Sequence, residues 1–161
     1  VELGAPIFDA ARIPVRPDRM GATPEVDVAF EGRRLTGHAV SFGNPHVVFF
    51  LAEREPRALE EFPLERFGPQ VERDPRFPAR VNVEVAQLDA GRARQRTWER
   101  GSGETWACGS GACAIASVAE RLGLHRGALH LSLRGGELEV EPGARTLLRG
   151  PATSVFHGEW S

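Results

Sequence analysis

Residues 107–122 read ACGSGACAIASVAERL, the one stretch in the chain with a long helical pattern. Every side chain in its first two turns is small. Small side chains let neighbouring strands come close to a helix backbone, and a helix that is small and apolar on most sides is a buried one. The segments around it are short and alternate polar with apolar residues. Together these features predict an α+β fold: a curved, barrel-like, mostly antiparallel sheet wrapped around one central helix.

Upstream of the helix, VNVEVAQL (81–88) and RARQRTWE (92–99) form a hairpin signal around Ala90-Gly91. A second hairpin signal joins PEVDVAF (24–30) to RRLTGHAVSF (33–42) through Glu31-Gly32, and HVVFFL (46–51) reads as a short buried strand. Residues 57–71 carry Leu59, Phe62, Leu64, Phe67 and Val71 with Pro63 inside, which predicts one broken helix or two short ones. Downstream, four segments near 128–133, 136–141, 145–149 and 152–157 are expected as strands. The first twenty residues, with Pro6, Pro14 and Pro17, read as an irregular lead-in, and the abrupt start reads as a domain boundary. No internal repeat or low-complexity tract is present.

The chain has 161 residues, enough for one domain with its own core. A net charge of −2 argues against a nucleic-acid-binding surface, which needs excess positive charge. No stretch approaches the roughly 20 apolar residues that span a bilayer, and the N-terminus lacks the basic-then-apolar pattern of a signal peptide. Cys108 and Cys113 lie five apart on one expected helix, on different faces and too far apart for a disulfide. Both are read as thiols, which fits a cytoplasmic protein. All 20 basic residues are Arg. A pyridoxal phosphate enzyme holds its cofactor through a Lys Schiff base, which this chain cannot form.

The chemistry is concentrated in ERGSGETWACGSGACA (99–114). Thr105 is a candidate N-cap, and Cys108 then falls in the first helical turn. There the unpaired N–H groups and the macrodipole favour negative charge. That placement predicts a Cys108 thiol acidified below an ordinary cysteine, and an anion site at the N–H groups around Gly109 and Ser110. A bland alternative is a glycine-rich turn feeding a tightly packed helix, with Cys108 as a small buried hydrophobe. A Walker A loop needs a Lys that is not there, and a zinc site needs four ligands where two thiols point to different faces. Three other places could converge on Cys108. GNPH (43–46) offers Asn44 and His46 at a strand start. Asn82 sits in VNVEV, sharing a strand face with Glu84 and opposite Val81 and Val83. Glu99 and Arg100 end a strand just before the glycine turn, where a surface ion pair is the plain reading.

Three functions are compatible with these residues: proton transfer by a thiol, a Cys-His-Asn hydrolase built on Cys108, His46 and Asn44 or Asn82, and a non-catalytic anion-binding module. The combination GNPHVVFF (43–50), FPARVNVEV (77–85), TWERGSGETWACGSGACA (97–114) and GPATSVFHGEW (150–160) resembles the diaminopimelate epimerase family, in the family's order and near its spacing. Proline racemase-like and isomerase relatives in the same superfamily are compatible with part of the pattern. The Glu99-Arg100 pair favours a substrate with a second charged amino-acid end.

The resemblance implies two pseudo-symmetric domains, each a barrel-like sheet around a central helix, with the site in the cleft between them. Residues 1–161 would be the C-terminal domain, and the N-terminal domain, which carries the second catalytic cysteine, would lie outside this chain. It also implies catalysis with no cofactor, a homodimer of the complete protein and a role in lysine biosynthesis. By resemblance, Cys108 is an acid/base thiol, while Gly109 and Ser110 hold the reacting carboxylate. Asn44, Asn82, Glu99 and Arg100 bind the substrate, and His46 and Glu99 assist proton transfer. Cys113 cannot replace the other cysteine, because two thiols on one helix cannot flank a carbon from opposite faces.

Overall fold

The computed structural model describes residues 1–52 and 58–160. Its strands are β1 (Glu2–Gly4), β2 (Arg19–Met20), β3 (Pro24–Phe30), β4 (Arg33–Ser41), β5 (Pro45–Phe50), β6 (Asn82–Asp89), β7 (Arg92–Glu99), β8 (Gly103–Thr105), β9 (Leu129–Leu133), β10 (Gly136–Glu141) and β11 (Thr146–Arg149). The helices are α1 (Leu64–Glu72) and α2 (Gly109–Arg121). Among the described residues all eleven strands share one sheet, in the order β1-β11-β10-β9-β7-β6-β5-β4-β3-β2, with β8 added on β7.

The two predicted hairpins close through two-residue turns. Phe30 pairs with Arg33 around Glu31 and Gly32 (φ 48° and 75°), and Asp89 pairs with Arg92 around Ala90 and Gly91 (φ 37° and 85°). Two consecutive positive φ angles give the turn whose twist matches that of paired strands.

Neighbouring strands are antiparallel except at two places, β5 with β6 and β7 with β9. Parallel neighbours need a crossover, and each crossover here contains a helix: α1 between β5 and β6, α2 between β7 and β9. Both crossovers step the same way along the sheet, but β7 runs opposite to β5. Right-handed crossovers then put their helices on opposite faces. The packing follows this pattern. Leu64, Phe67 and Val71 of α1 pack with Val26, Val28, Val47, Phe49, Val83 and Val85. On the other face Ala112, Ile115, Ala116 and Val118 of α2 pack with Val40, Val48, Ala86, Leu129, Leu131 and Val140. The single expected core is therefore two cores, one on each face of the sheet.

The sheet curls around α2, which touches β4, β5 and β6 as well as β10 and β11, strands far apart in the sheet order. It is not closed. The chain after β1 nevertheless spans the gap, since Ile7 forms an antiparallel bridge to Ser41 at the end of β4, with both hydrogen bonds at 2.9 Å.

Several expectations require correction. Residues 152–157 form no strand, and the tail 151–160 is exposed. It pairs with no strand of the sheet among the described residues. The lead-in contributes β1 and β2, and the glycine turn folds back as β8, three short strands the sequence reading missed. The helix in 57–71 is a single one, α1, starting directly after Pro63, with Pro69 inside it; residue 57 lies outside the described residues. Thr105 ends β8 and is not a helix cap, so the cap moves to Cys108.

Candidate active site

Cys108 is the N-cap of α2. Its backbone is extended (φ −138°, ψ 106°), and its sulfur accepts a hydrogen bond from the N–H of Gly111 at 3.4 Å. A cap residue satisfies one of the unpaired N–H groups at a helix start. The N–H groups of Gly109 and Ser110, the first two helical residues, belong to that same unpaired set and lie beside the thiol.

The thiol opens a ring of side chains. Cys108 Sγ lies 3.6 Å from Ser110 Oγ, and Asn44 Nδ2 donates to that oxygen at 3.5 Å. Asn44 Oδ1 is 3.2 Å from His46 Nε2, and His46 Nδ1 is 2.9 Å from Glu84 Oε1. Thr97 Oγ1 donates to Glu84 Oε2 at 2.5 Å. Gln95 Nε2 donates to Thr97 Oγ1 at 3.1 Å and reaches the Cys108 carbonyl at 3.5 Å, which closes the ring. The sheet positions these groups directly. His46 and Asn82 are register partners across β5 and β6, and Glu84 faces Thr97 across β6 and β7. Glu84 can lie against the start of α2 because residue 111 is glycine. A Cβ there would sit 2.6 Å from both carboxylate oxygens.

A second group of contacts braces the rim. Asn82 donates to the Pro45 carbonyl at 3.1 Å and accepts from the Arg100 N–H at 2.8 Å. It thus ties the GNPH turn to the end of β7. Glu72 accepts from Trp98 Nε1 at 2.8 Å and from the Gly101 N–H at 3.0 Å. Burial raises the Glu72 pKa, but these two hydrogen bonds, with Arg80 and Arg73 nearby, outweigh it and leave the carboxyl below its ordinary value. Glu99 accepts from Thr105 Oγ1 at 2.6 Å, and the Arg100 guanidinium donates to the Ala79 carbonyl at 2.8 Å.

The expectation of an acidified Cys108 is overturned. Burial, followed by the Glu84 carboxylate, pushes the thiol up to about 11 against the hydrogen bonds from Ser110 and the Gly111 N–H. The helix start is present, but Cys108 is only 7% exposed and a buried carboxylate shares its pocket. Cys113 is fully buried in the apolar core beside α2, and burial pushes it up to about 12. Both cysteines are free thiols. Among the described residues no group of three or more His, Cys, Asp or Glu side chains is placed to hold a metal ion, and no helix is long and apolar enough to cross a membrane.

The diaminopimelate epimerase family model matches residues 38–154, a span that contains every group in the ring and on the rim. The chain belongs to the diaminopimelate epimerase family. It is 45% identical to the diaminopimelate epimerase of Sphingopyxis alaskensis, over 99% of this chain and 58% of that protein. With the diaminopimelate epimerase of Ectopseudomonas mendocina the identity is 41%, over 99% of this chain and 56% of that one. The chain thus spans 56–58% of the length of these curated relatives. Among solved structures, a phenazine biosynthesis protein of the PhzF family from Enterococcus faecalis aligns with a TM-score of 0.47 and 19% identity, covering 63% of this chain and 35% of that one.

Of the residues expected at an epimerase site, the structure joins Asn44, His46, Cys108 and Ser110 in one network and puts Gly109 beside them at the helix start. Asn82, Glu99 and Arg100 form the adjoining rim. Glu84, Thr97 and Gln95, which join this network, were not among the expected residues; the sequence placed Glu84 only on the strand face of Asn82. No hydrogen bond joins His46 to Cys108. The Cys-His pair of a hydrolase needs that hydrogen bond, so the geometry does not favour the hydrolase alternative.

Proposed function

We propose that residues 1–161 form a single domain, the C-terminal half of a two-domain diaminopimelate epimerase. The enzyme would interconvert LL-2,6-diaminopimelate and meso-diaminopimelate without a cofactor, in lysine and peptidoglycan biosynthesis. The observation that carries this reading is the Cys108 thiol on the N-cap of a buried glycine-rich helix, beside the N–H groups of Gly109 and Ser110. A substrate carboxylate on those N–H groups sits at the positive end of the helix and brings its α-carbon next to the thiol.

The step is a pair of proton transfers. A base on the opposite face takes the α-proton, and the electron pair is held by the carboxylate as it gains enolate character. Cys108 gives its S–H proton to the other face, which forms the inverted C–H bond and leaves a Cys108 thiolate. The next turnover can run in reverse. Helix N–H groups aimed at the growing charge supply the stabilisation that an electron-sink cofactor would otherwise give. A Cys108 held as a thiol in the resting state is set up as the acid. His46 and Glu99 assist these transfers, and Asn44, Asn82, Glu99 and Arg100 bind the substrate. The cation and carboxylate of Arg100 and Glu99 complement the distal amino-acid end. Cys113 has no access to the site, so the opposite-face thiol comes from the N-terminal half. Two unpaired thiols support a reducing, cytoplasmic setting, and a homodimer of the complete enzyme is part of the same proposal.

The test is to incubate the complete enzyme with LL-diaminopimelate in deuterated water. Deuterium is expected at the inverted α-carbon, with activity unchanged by hydroxylamine, which strips pyridoxal phosphate. Activity abolished by hydroxylamine would overturn the reading.

A further inference from the structure

Glu84 is a fully buried carboxylate that the proposed chemistry does not use. We propose that Glu84 is a positioning residue that holds a proton on Nδ1 of His46, so that His46 exchanges protons with the site only through Nε2. This rests on the reading of His46 as a group that assists proton transfer.

The polarity of the ring around His46 follows from the Glu84 carboxylate. An ionised carboxylate only accepts hydrogen bonds. Thr97 must therefore donate its hydroxyl to Glu84, which leaves the Thr97 oxygen to accept from Gln95. By the same rule His46 Nδ1, 2.9 Å from Glu84 Oε1, carries a hydrogen. The neutral ring then has its lone pair on Nε2, the nitrogen that faces Asn44. Which ring nitrogen reacts is set by the bond the other one makes. A fixed charge is suited to this, because a neutral amide in its place could turn over and accept or donate equally well.

Asn44 fits both states of that Nε2. When Nε2 bears a proton, it donates to Asn44 Oδ1, and Asn44 Nδ2 donates to Ser110, as the atoms lie here. When Nε2 is bare, the amide turned over donates Nδ2 to the ring and Oδ1 accepts the Ser110 hydroxyl. The Ser110 oxygen lies against Cys108 Sγ. The charge on His46 thus reaches the thiol as a reorientation of two dipoles, with no proton passing through Asn44. Gly111 is part of the device, because a larger residue would displace the carboxylate.

The test measures tautomers directly. The chain is labelled with ring-15N histidine, and two-bond 1H–15N correlations are recorded at mildly alkaline pH, where neutral imidazole is populated. His46 is assigned among the five histidines by its loss in His46→Gln. The wild-type His46 is expected as the Nδ1–H tautomer. Glu84→Gln keeps the shape and removes the obligate acceptor, so a tautomer mixture is expected. In the complete enzyme that variant should lower kcat roughly 10- to 100-fold with KM within about twofold, and Glu84→Asp should recover part of the loss. An Nε2–H tautomer in the wild type, or a Glu84→Gln variant with unchanged tautomer or unchanged kcat, would overturn the proposal. If Glu84→Gln does not fold, the wild-type spectrum still decides. Thr97→Val, which removes only the other bond to Glu84, must then leave the Nδ1–H signal in place. A wild-type enzyme that incorporates no α-deuterium while showing the Nδ1–H tautomer would overturn the epimerase reading and leave the role of Glu84 on His46 standing.

Discussion

At Cys108 two opposing effects act on one sulfur. Hydrogen bonds from Ser110 and the Gly111 N–H favour the thiolate, while burial and the Glu84 carboxylate favour the thiol. The second pair prevails because desolvation acts on the whole charge, whereas the contacts to Ser110 and Gly111, at 3.6 and 3.4 Å, are long. Iodoacetamide should therefore label Cys108 slowly at neutral pH, with a rate that climbs through the alkaline range toward about 11. Cys113, fully buried and pushed up to about 12, should lag behind. Glu84→Gln should move the climb to lower pH. Peptide mapping by mass spectrometry checks all three, and rapid, pH-independent labelling of Cys108 would contradict the account. Cys108, Asn44 and His46 were legible in the sequence because reactive or amide side chains framed by glycine and proline stand out from a packing pattern. Glu84 was not legible as a site residue. In VNVEV it reads as the polar half of an alternating strand, and nothing local says that its face is covered by a helix rather than by water.

The start of α2 is where element and site meet. In an exposed helix, replacing glycine by alanine gains about 1 kcal/mol. At Gly111 the new Cβ would lie 2.6 Å from a carboxylate with no freedom to move, held by His46 and Thr97 at zero exposure. Overpacking of that kind costs roughly 1–3 kcal/mol, so Gly111→Ala should destabilise the protein, seen as a lower denaturant midpoint with an unchanged slope. A gain in stability would show that the carboxylate yields easily. The elements themselves were largely readable: β3 and β10 match their predicted spans, and both hairpin turns fall on the expected pairs. The errors have physical causes. β8 is three residues in a glycine-rich loop, too short for a period-two pattern to emerge. The tail 152–157 has strand-like composition, but strand formation depends on pairing as well as composition, and the tail pairs with no strand among the described residues. The second core was missed because the alternation of a strand does not say what covers its other face.

Across the whole molecule, titration and catalysis set separate limits. Burial lowers His38, and hydrogen bonds from arginines lower Asp74 and Glu104, as they do Asp27, held down at about 2. A group depressed in the folded state stabilises it above the unfolded pKa and loses that contribution as pH falls. The two thiols, raised to about 11 and 12 from 9.0, contribute fully below 9.0 and lose that contribution as pH rises. Thermal stability should thus be greatest between 6.5 and 9.0, with the first acid loss from His38 removed in His38→Gln, and unfolding scans across pH check this. Catalysis has a stricter requirement. Inversion needs a proton removed from one face of the α-carbon and another delivered to the opposite face. Among the described residues Cys108 is the one thiol at the site, because Cys113 is sealed in the core beneath the same helix. The sulfur and its helix N–H groups are joined to His46 through Ser110 and Asn44 in one connected network at the start of α2. The 161-residue chain is therefore expected to form no meso-diaminopimelate from the LL isomer, and at most to exchange the α-proton slowly with retention. Adding the remaining N-terminal portion of the enzyme as a separate chain should restore inversion, and Cys108→Ala should abolish it again. Chiral chromatography of the product in deuterated water separates these outcomes. Robust inversion by the 161 residues alone would refute the two-thiol mechanism.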